Sequence, residues 1–437
     1  MNNRQPPLLL DTSTDPRPDI LAALKRPTYG PSDEVQEVVH NILNAVRNHG
    51  DEALVKLEQQ FGEWKECRIE GLQVKDEEIG AAMDQVPPKV MAALQVAAER
   101  LEAFHRNQAR KSWSMHDDAG SELGQQVTPI ESVGIYAPGG LATYPSSILH
   151  AGIPARVAGV PQIFIATPPS ADGTIPPTVL AAARMVGAES IFKAGGAQAM
   201  AAFAFGTCVF PAVHKLAGPG GIHTVVAKKL LYGIVGIDLL PGPSEIYVIA
   251  DEKAPAKIIA ADLLAQAEHS GDSMVILLTP SNVLAQAVHD EINTCIVNAP
   301  RQALISEALS TRGAIIVTRG LHEAVELCNL GAPEHVSVLV ENPEPLLPEL
   351  HNAGAIFVGI HSPVAAGDYL AGPSHVLPTA GTARFASGIS VDAFVRTTSL
   401  IRLSETALNE ISDAIITLAE SEGLPAHADS VRRRQRP

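Results

Sequence analysis

The period of the apolar positions changes along the chain. In the first quarter Val35, Val38, Val39, Ile42, Leu43 and Val46 recur three and four residues apart, which puts them on one face of a helix. Ser32 is placed to cap the start of that helix, Asp33 and Glu34 fall in its first turn, and Gly50 is placed to end it. Further helical segments extend to Lys111, and residues 1–30 read as an extension with a short helix around Ile20–Leu24. Beyond Lys111, short apolar runs alternate with helical ones. Ser132–Tyr136, Ile163–Thr167 and Ser190–Lys193 read as buried strands, with helices at Ile148–Val157, Pro177–Val186 and Ala197–Phe205. A second set of strands follows at Ile246–Asp251, Met274–Thr279, Ala314–Thr318 and Ala355–Val358. Helices at Pro255–Ala267, Asn282–Ala299 and Leu321–Leu327 separate them. From Ser404 a last helix carries the stripe Ala407, Ile411, Ala414, Ile415 and Leu418, which needs a partner surface, another subunit being one candidate.

Strands alternating with helices imply parallel sheets covered on both faces. The predicted fold class is therefore α/β, with two Rossmann-like doubly wound units, a helical N-terminal extension and a C-terminal dimerisation tail. The expected domain boundaries are 1–30 for the extension, 31–131 plus 245–386 for the first unit, 132–244 for the second and 387–437 for the tail.

Composition narrows the function classes. A chain of 437 residues, 46% hydrophobic and 18% charged, is globular and too long for one ordinary domain. A net charge of −16 argues against a nucleic-acid partner, and the basic cluster Arg432, Arg433, Arg434 and Arg436 reads as a solvated end. The start, MNNRQPPLLLDTSTD, has no basic region followed by a long apolar one, so no secretory signal is predicted. The uncharged stretch Ala194–Val213 is rich in Ala and Gly, contains Gln198 and is broken by Gly206 and Pro211. It fits a buried helix and loop better than a membrane span. Cys67, Cys208, Cys295 and Cys328 form no CxxC pair, which suits free, mostly buried thiols in a reducing cytoplasm, with Cys208 in the core.

Candidate chemistry lies in four segments. In Ala261–Ser270, Gln266 and His269 stand three apart at a helix end, so an amide oxygen and an imidazole could reach one metal, and zinc accepts both. A hydrogen-bonded surface pair fits that spacing equally. In Gly331–His335, the adjacent Glu334 and His335 point in different directions and could serve one substrate as two proton acceptors. In Ala366–His375, Asp368 follows a glycine in a loop-like context and His375 lies in a Gly/Pro-rich turn. In the tail, Glu422 and His427 flank Gly-Leu-Pro-Ala. No GxGxxG follows a strand, although Ala137–Gly140, Gly195–Gly196 and Gly218–Gly221 could each bring backbone amides to a pyrophosphate or simply make a tight turn.

Taken together, the strings GIYAPGG (134–140), YPSSIL (144–149), IPARVAGV (153–160), GGAQAMAAFAFGT (195–207), KLAGPG (215–220), GPSEIYVIAD (242–251), DLLAQAEH (262–269), GAPEH (331–335), GDYLAGPSHVLPT (367–379) and GTARFASG (381–388) resemble the histidinol dehydrogenase family. The resemblance spans residues 30–430 and implies a zinc- and NAD-dependent oxidation of L-histidinol to L-histidine through an enzyme-bound aldehyde. It places zinc on Gln266, His269, Asp368 and His427, and proton acceptance on Glu334 and His335. Substrate contacts fall on Ser244, His335, Glu422 and the zinc ligands, with His375 nearby. NAD contacts fall on Tyr136 and Gln198, and on Gly221, where the family carries an Asn. His150, Gly152 and His223 also depart from the family pattern. The departures leave a second reading, oxidation of another small polar alcohol such as a sulfopropanediol. The resemblance further implies a homodimer whose C-terminal tails swap, so that Glu422 and His427 serve the partner's site.

Overall fold

Two groups of short, buried strands each close into a parallel sheet, and a third, exposed group forms an antiparallel one. The structure is a computed structural model and describes residues 7–24, 32–139 and 143–435. In chain order the strands are β1 (Leu8–Asp11), β2 (Trp113–His116), β3 (Glu122–Pro129), β4 (Ser132–Tyr136), β5 (Gln162–Thr167), β6 (Ser190–Lys193) and β7 (Lys215–Ala217). They continue as β8 (Gly236–Ile237), β9 (Glu245–Ala250), β10 (Met274–Thr279), β11 (Gly313–Val317), β12 (His335–Leu339), β13 (Ala355–Val358) and β14 (Val395–Arg402). The larger parallel sheet runs β1-β11-β10-β9-β12-β13 and the smaller β6-β5-β4-β7-β8. Helices cover both faces of each, as continuous apolar strands require.

Two of the expected boundaries change. The N-terminal extension adds β1 to the edge of the larger sheet, with Leu8 opposite Ala314 and Asp11 opposite Val317. The helices between residues 33 and 106 join the smaller sheet, not the larger one grouped with them in sequence. The first of them, Asp33–Phe61, buries Val39, Ile42, Leu43, Val46 and Leu54 with Phe192, Phe203 and Phe210. Each such side chain contributes about 1.5–3 kcal/mol on burial, so this face decides where the helix sits. The helices Asp76–Gln85 and Pro88–Arg106 pack on those at Pro177–Val186 and Pro145–Ala158. Gly50 does not end the first helix; it adopts φ 53° and kinks it, and the chain resumes helical geometry to Phe61.

The third sheet, β14-β3-β2, was not foreseen. β2 is exposed throughout and β14 nearly so, and without a buried face neither strand shows an alternating pattern. From this sheet the chain passes to the helices Glu405–Ser421 and Pro425–Arg432, which pack on each other. Ser404 caps the first, accepting from Ala407 N at 3.0 Å. Ile411 and Leu418 of the predicted stripe are exposed within one chain. Arg432 and Arg433 pair with Glu420 and Asp429, whereas Arg436 lies outside the described residues. Ala197–Ala204 is buried helix as expected, but Cys208 follows it in a loop and is exposed, not core. No helix among the described residues is long and apolar enough to cross a membrane.

Candidate active site

The first catalytic candidates meet at the amino ends of β9 and β12, neighbours with His335 opposite Ile246. Glu245, the first residue of β9, and Glu334, just before β12, clasp each other's backbone. Glu245 N donates to Glu334 Oε2 at 3.0 Å, and Glu334 N donates to Glu245 Oε2 at 2.9 Å. Ala380 N adds a third bond, to Glu245 Oε1 at 2.9 Å. Gly354 lies against Glu334, where a Cβ would come within 2.5 Å of its carbonyl oxygen. Glu245 is not among the residues that the sequence motifs single out. The signal available was an acid opening a strand that is otherwise Ile-Tyr-Val-Ile-Ala, since a buried carboxylate at a strand start requires built-in partners.

This clasp fixes the tautomer of His335. Its Nδ1 lies 2.9 Å from the Glu245 carbonyl oxygen and 3.5 Å from Glu334 Oε2, both acceptors, so Nδ1 carries the proton and Nε2 is left with its lone pair. The Glu334 carboxylate therefore folds back toward His335, and the two side chains do not diverge as adjacent strand residues normally would. Burial pushes the His335 imidazole down to about 4, partly opposed by the charge of Asp368. At neutral pH it is a neutral base.

Asp368 and His375 lie on the facing segment. Asp368 is the penultimate residue of a short helix, Val364–Tyr369, where a loop was expected. Gly367 lets that helix meet β13, since a Cβ there would sit 2.6 Å from the Phe357 ring. His375 Nδ1 donates to the Asp368 carbonyl oxygen at 2.8 Å, so its Nε2 is also left as an acceptor. Burial lowers the His375 imidazole, the Asp368 charge opposes this, and His335 and His269 both act on it through space. Gln266 is buried in the last turn of the helix Ala256–Ala267. His269 lies two residues past its end and is exposed, and its backbone N–H donates to the Gln266 carbonyl at 3.3 Å, which continues the helical turn. His269 and Tyr369 border a cleft of about 570 Å³ that Tyr144 and Leu149 line from the smaller sheet's side. Ser244 immediately precedes β9, beside Glu245.

The nitrogen and oxygen donors Gln266, His269 and Asp368 suit zinc, which takes such ligands in open three-protein-ligand sites. The tail candidates are not brought to them. Glu422 and His427 are exposed on the two terminal helices, and among the described residues no three His, Cys, Asp or Glu side chains gather as a metal-holding group.

The cofactor candidates occupy a separate place, outside the carboxyl ends of β4, β6 and β7, where the strand order of the smaller sheet reverses. Gly196 N donates to Tyr136 Oη at 3.0 Å. Gln198 Nε2 donates to Glu58 Oε1 at 2.8 Å, and that oxygen also takes Gly195 N at 2.8 Å. Glu58 is buried, and burial raises its carboxyl while those bonds lower it. The turn Gly218–Gly221 follows β7. A Cβ on Gly218 would come within 2.2 Å of the Tyr136 carbonyl oxygen, whereas Gly221, at the N-cap of the helix Ile222–Leu231, has open space. A glycine turn beneath a helix N-terminus fits a pyrophosphate. Its floor is fixed by Asp238, which takes Gly218 N at 2.7 Å and pairs with buried Lys228.

A neutral, tautomer-fixed histidine base and a glycine turn beneath a helix N-terminus, in a two-sheet α/β frame, are features that suit a nucleotide-dependent oxidoreductase. Comparison with known proteins gives the family. The family model described as histidinol dehydrogenase matches residues 25–435. "Histidinol dehydrogenase 2" of Nostoc sp. is 46% identical, covering 95% of this chain and 97% of its own length. Histidinol dehydrogenase of Gloeobacter violaceus is 46% identical, covering 92% and 91%. The crystal structure of histidinol dehydrogenase from Elizabethkingia anophelis superposes with a TM-score of 0.93 at 34% identity, covering 99% of each chain. The chain belongs to the histidinol dehydrogenase family, whose members are zinc-binding, NAD-dependent oxidoreductases.

Proposed function

We propose that this protein oxidises L-histidinol to L-histidine in two successive two-electron steps, the aldehyde staying bound between them, with His335 as its principal base. The observation that carries the reading is the bond from His335 Nδ1 to the Glu245 carbonyl, which leaves Nε2 unprotonated and able to take the alcohol proton. Gln266, His269, Asp368 and His427 of the partner subunit would hold zinc, which when bound would supply a fixed anchor for the substrate's imidazole and amine. Tyr136, Gln198 and the turn ending at Gly221 would hold NAD, which when bound would supply the hydride acceptor for each oxidation. After the first step Glu334 takes a proton from the water that adds to the aldehyde, and the resulting hydrate is the substrate of the second. Ser244, His375 and Glu422 orient the substrate, and positioning of this kind supplies much of the rate.

Glu422 matches a cationic amine and would repel a sulfonate, and the curated relatives are histidinol dehydrogenases, so a sulfopropanediol is not favoured. A swapped homodimer is supported by two features: the stripe residues Ile411 and Leu418 are uncovered, and Glu422 and His427 are exposed on an arm that leaves the body at the third sheet. The four free cysteines suit a cytoplasmic location.

Two experiments test the proposal. Turnover of L-histidinol is expected to vanish on chelation and in His335→Ala, and a fully active His335→Ala enzyme would remove the base assignment. Mixing His335→Ala with His427→Ala subunits tests the swap. A hybrid dimer then holds one intact site, so about a quarter of wild-type activity returns at random exchange; if the tails stay on their own subunits, none does.

A further inference from the structure

The strongest unassigned feature is the buried imidazole of His150, on the helix Pro145–Ala158 of the smaller sheet. Its ring lies against that of His375 with centroids 3.9 Å apart and planes within 8° of parallel. His150 Nδ1 accepts from the His375 backbone N–H at 2.9 Å, and the His150 carbonyl accepts from Ser374 Oγ at 2.9 Å. Accepting at Nδ1 places the proton of neutral His150 on Nε2, which is buried and interacts with the Tyr369 backbone. His375 is thus gripped at its backbone and one ring face by His150, and at its own Nδ1 by the Asp368 carbonyl oxygen. One helix of the cofactor half therefore sets the plane of a ring in the catalytic half.

We infer that His150 is a positioning residue, aligning His375 so that its free Nε2 faces the substrate. This rests on the reading of His375 as a substrate contact. A protonated or mis-sized neighbour could not do the same. A cation at His150 would lose the acceptor for His375 N, and a side chain without a flat ring would release the stacked face. Burial holds the His150 imidazole well below its ordinary value, so the acceptor form is the one present at neutral pH.

The test uses the holoenzyme and three variants: His375→Asn, His150→Phe, which keeps a flat ring but no acceptor, and the double variant. With histidinol as the varied substrate, His375→Asn and His150→Phe are each expected to raise KM about tenfold, with kcat within a factor of about two. His150→Phe is expected to add little in the His375→Asn background, because it acts through that ring. If His375→Asn leaves KM unchanged, the substrate role of His375 fails, and the inference with it. If His375→Asn raises KM and His150→Phe does not, His150 alone is excluded as a positioning residue. A purely structural His150 would lower the unfolding midpoint while leaving KM per folded enzyme at the wild-type value. Nitrogen-15 NMR of the unmodified protein is independent of variant folding. The proton is expected on Nε2 of His150 and on Nδ1 of His375, and a His150 protonated at Nδ1 overturns the inference.

Discussion

Glu245→Gln is the most informative single change to the frame of the site. The carboxylate of Glu245 holds two backbone donors with two different oxygens, half-buried Ala380 N on Oε1 and buried Glu334 N on Oε2, each at 2.9 Å. An amide of the same shape offers one oxygen and one NH2. Whichever way it turns, one of these two N–H groups faces another donor. Leaving one such donor unsatisfied costs about 1–3 kcal/mol, and the volume hardly changes, so no cavity is added. The effect should appear first in a urea titration, as a lower midpoint with an unchanged slope. It should also appear in kcat. If the amide turns its NH2 to Glu334 N, the residue next to the base loses its anchor, and a shift costing about 1.4 kcal/mol in the transition state is a tenfold slower reaction. Stability within about 0.5 kcal/mol of wild type, together with unchanged kcat, would refute the reasoning, because surface-like tolerance is incompatible with a buried and a half-buried donor depending on one group.

Gly152→Ala would place a methyl 2.7 Å from Val186 Cβ and Cγ1, where the helices Pro145–Ala158 and Pro177–Val186 cross. It should cost about 1–3 kcal/mol in thermal or urea unfolding, with Val186→Ala giving back part of the loss; strictly additive effects would contradict direct contact. Gly221 meets nothing within 4 Å and has φ −68°, so Gly221→Asn should fold normally, supply an N-cap and lower KM for NAD about two- to tenfold. A raised KM would show that the turn works through its open backbone. His335 gives the metal-free protein an acid limit. Its folded value of about 4 lies below the ordinary 6.5, so its contribution is complete above pH 6.5 and is lost as pH falls toward 4. The loss is on the order of 3 kcal/mol, and pH-dependent unfolding of wild type against His335→Gln should show it as a difference in slope between those limits.

Legibility in the sequence followed burial. Met274–Thr279, Ala355–Val358, Ser132–Tyr136 and the helix Pro177–Val186 were read with their true limits, because runs buried or bounded by turn residues contrast with their flanks. β12 escaped notice although it is wholly buried, since its His and Ser interrupt the apolar run and its start was read as a motif. The antiparallel β2, β3 and β14 lack a buried face, so no periodicity marks them. For the site, Glu334, His335, Asp368 and His375 were nameable from short strings. Their relation was not, because the Glu245 clasp joins residues 89 apart and the His150–His375 pairing residues 225 apart. Pattern reports local spacing, whereas these contacts are made by strand pairing and by a helix of one half reaching the other. The helices between 33 and 106 were assigned to the wrong sheet for the same reason: an apolar stripe declares that a helix is covered but not what covers it.

The central claim is that one site carries an alcohol through an aldehyde to an acid without releasing the intermediate. The direct measurement is NADH formed per L-histidinol consumed, taken to completion with the aldehyde trapped by semicarbazide in solution. Two NADH and one L-histidine per substrate, with no trapped aldehyde, is the predicted result. One NADH with trapped aldehyde, or no NADH at all, would contradict it.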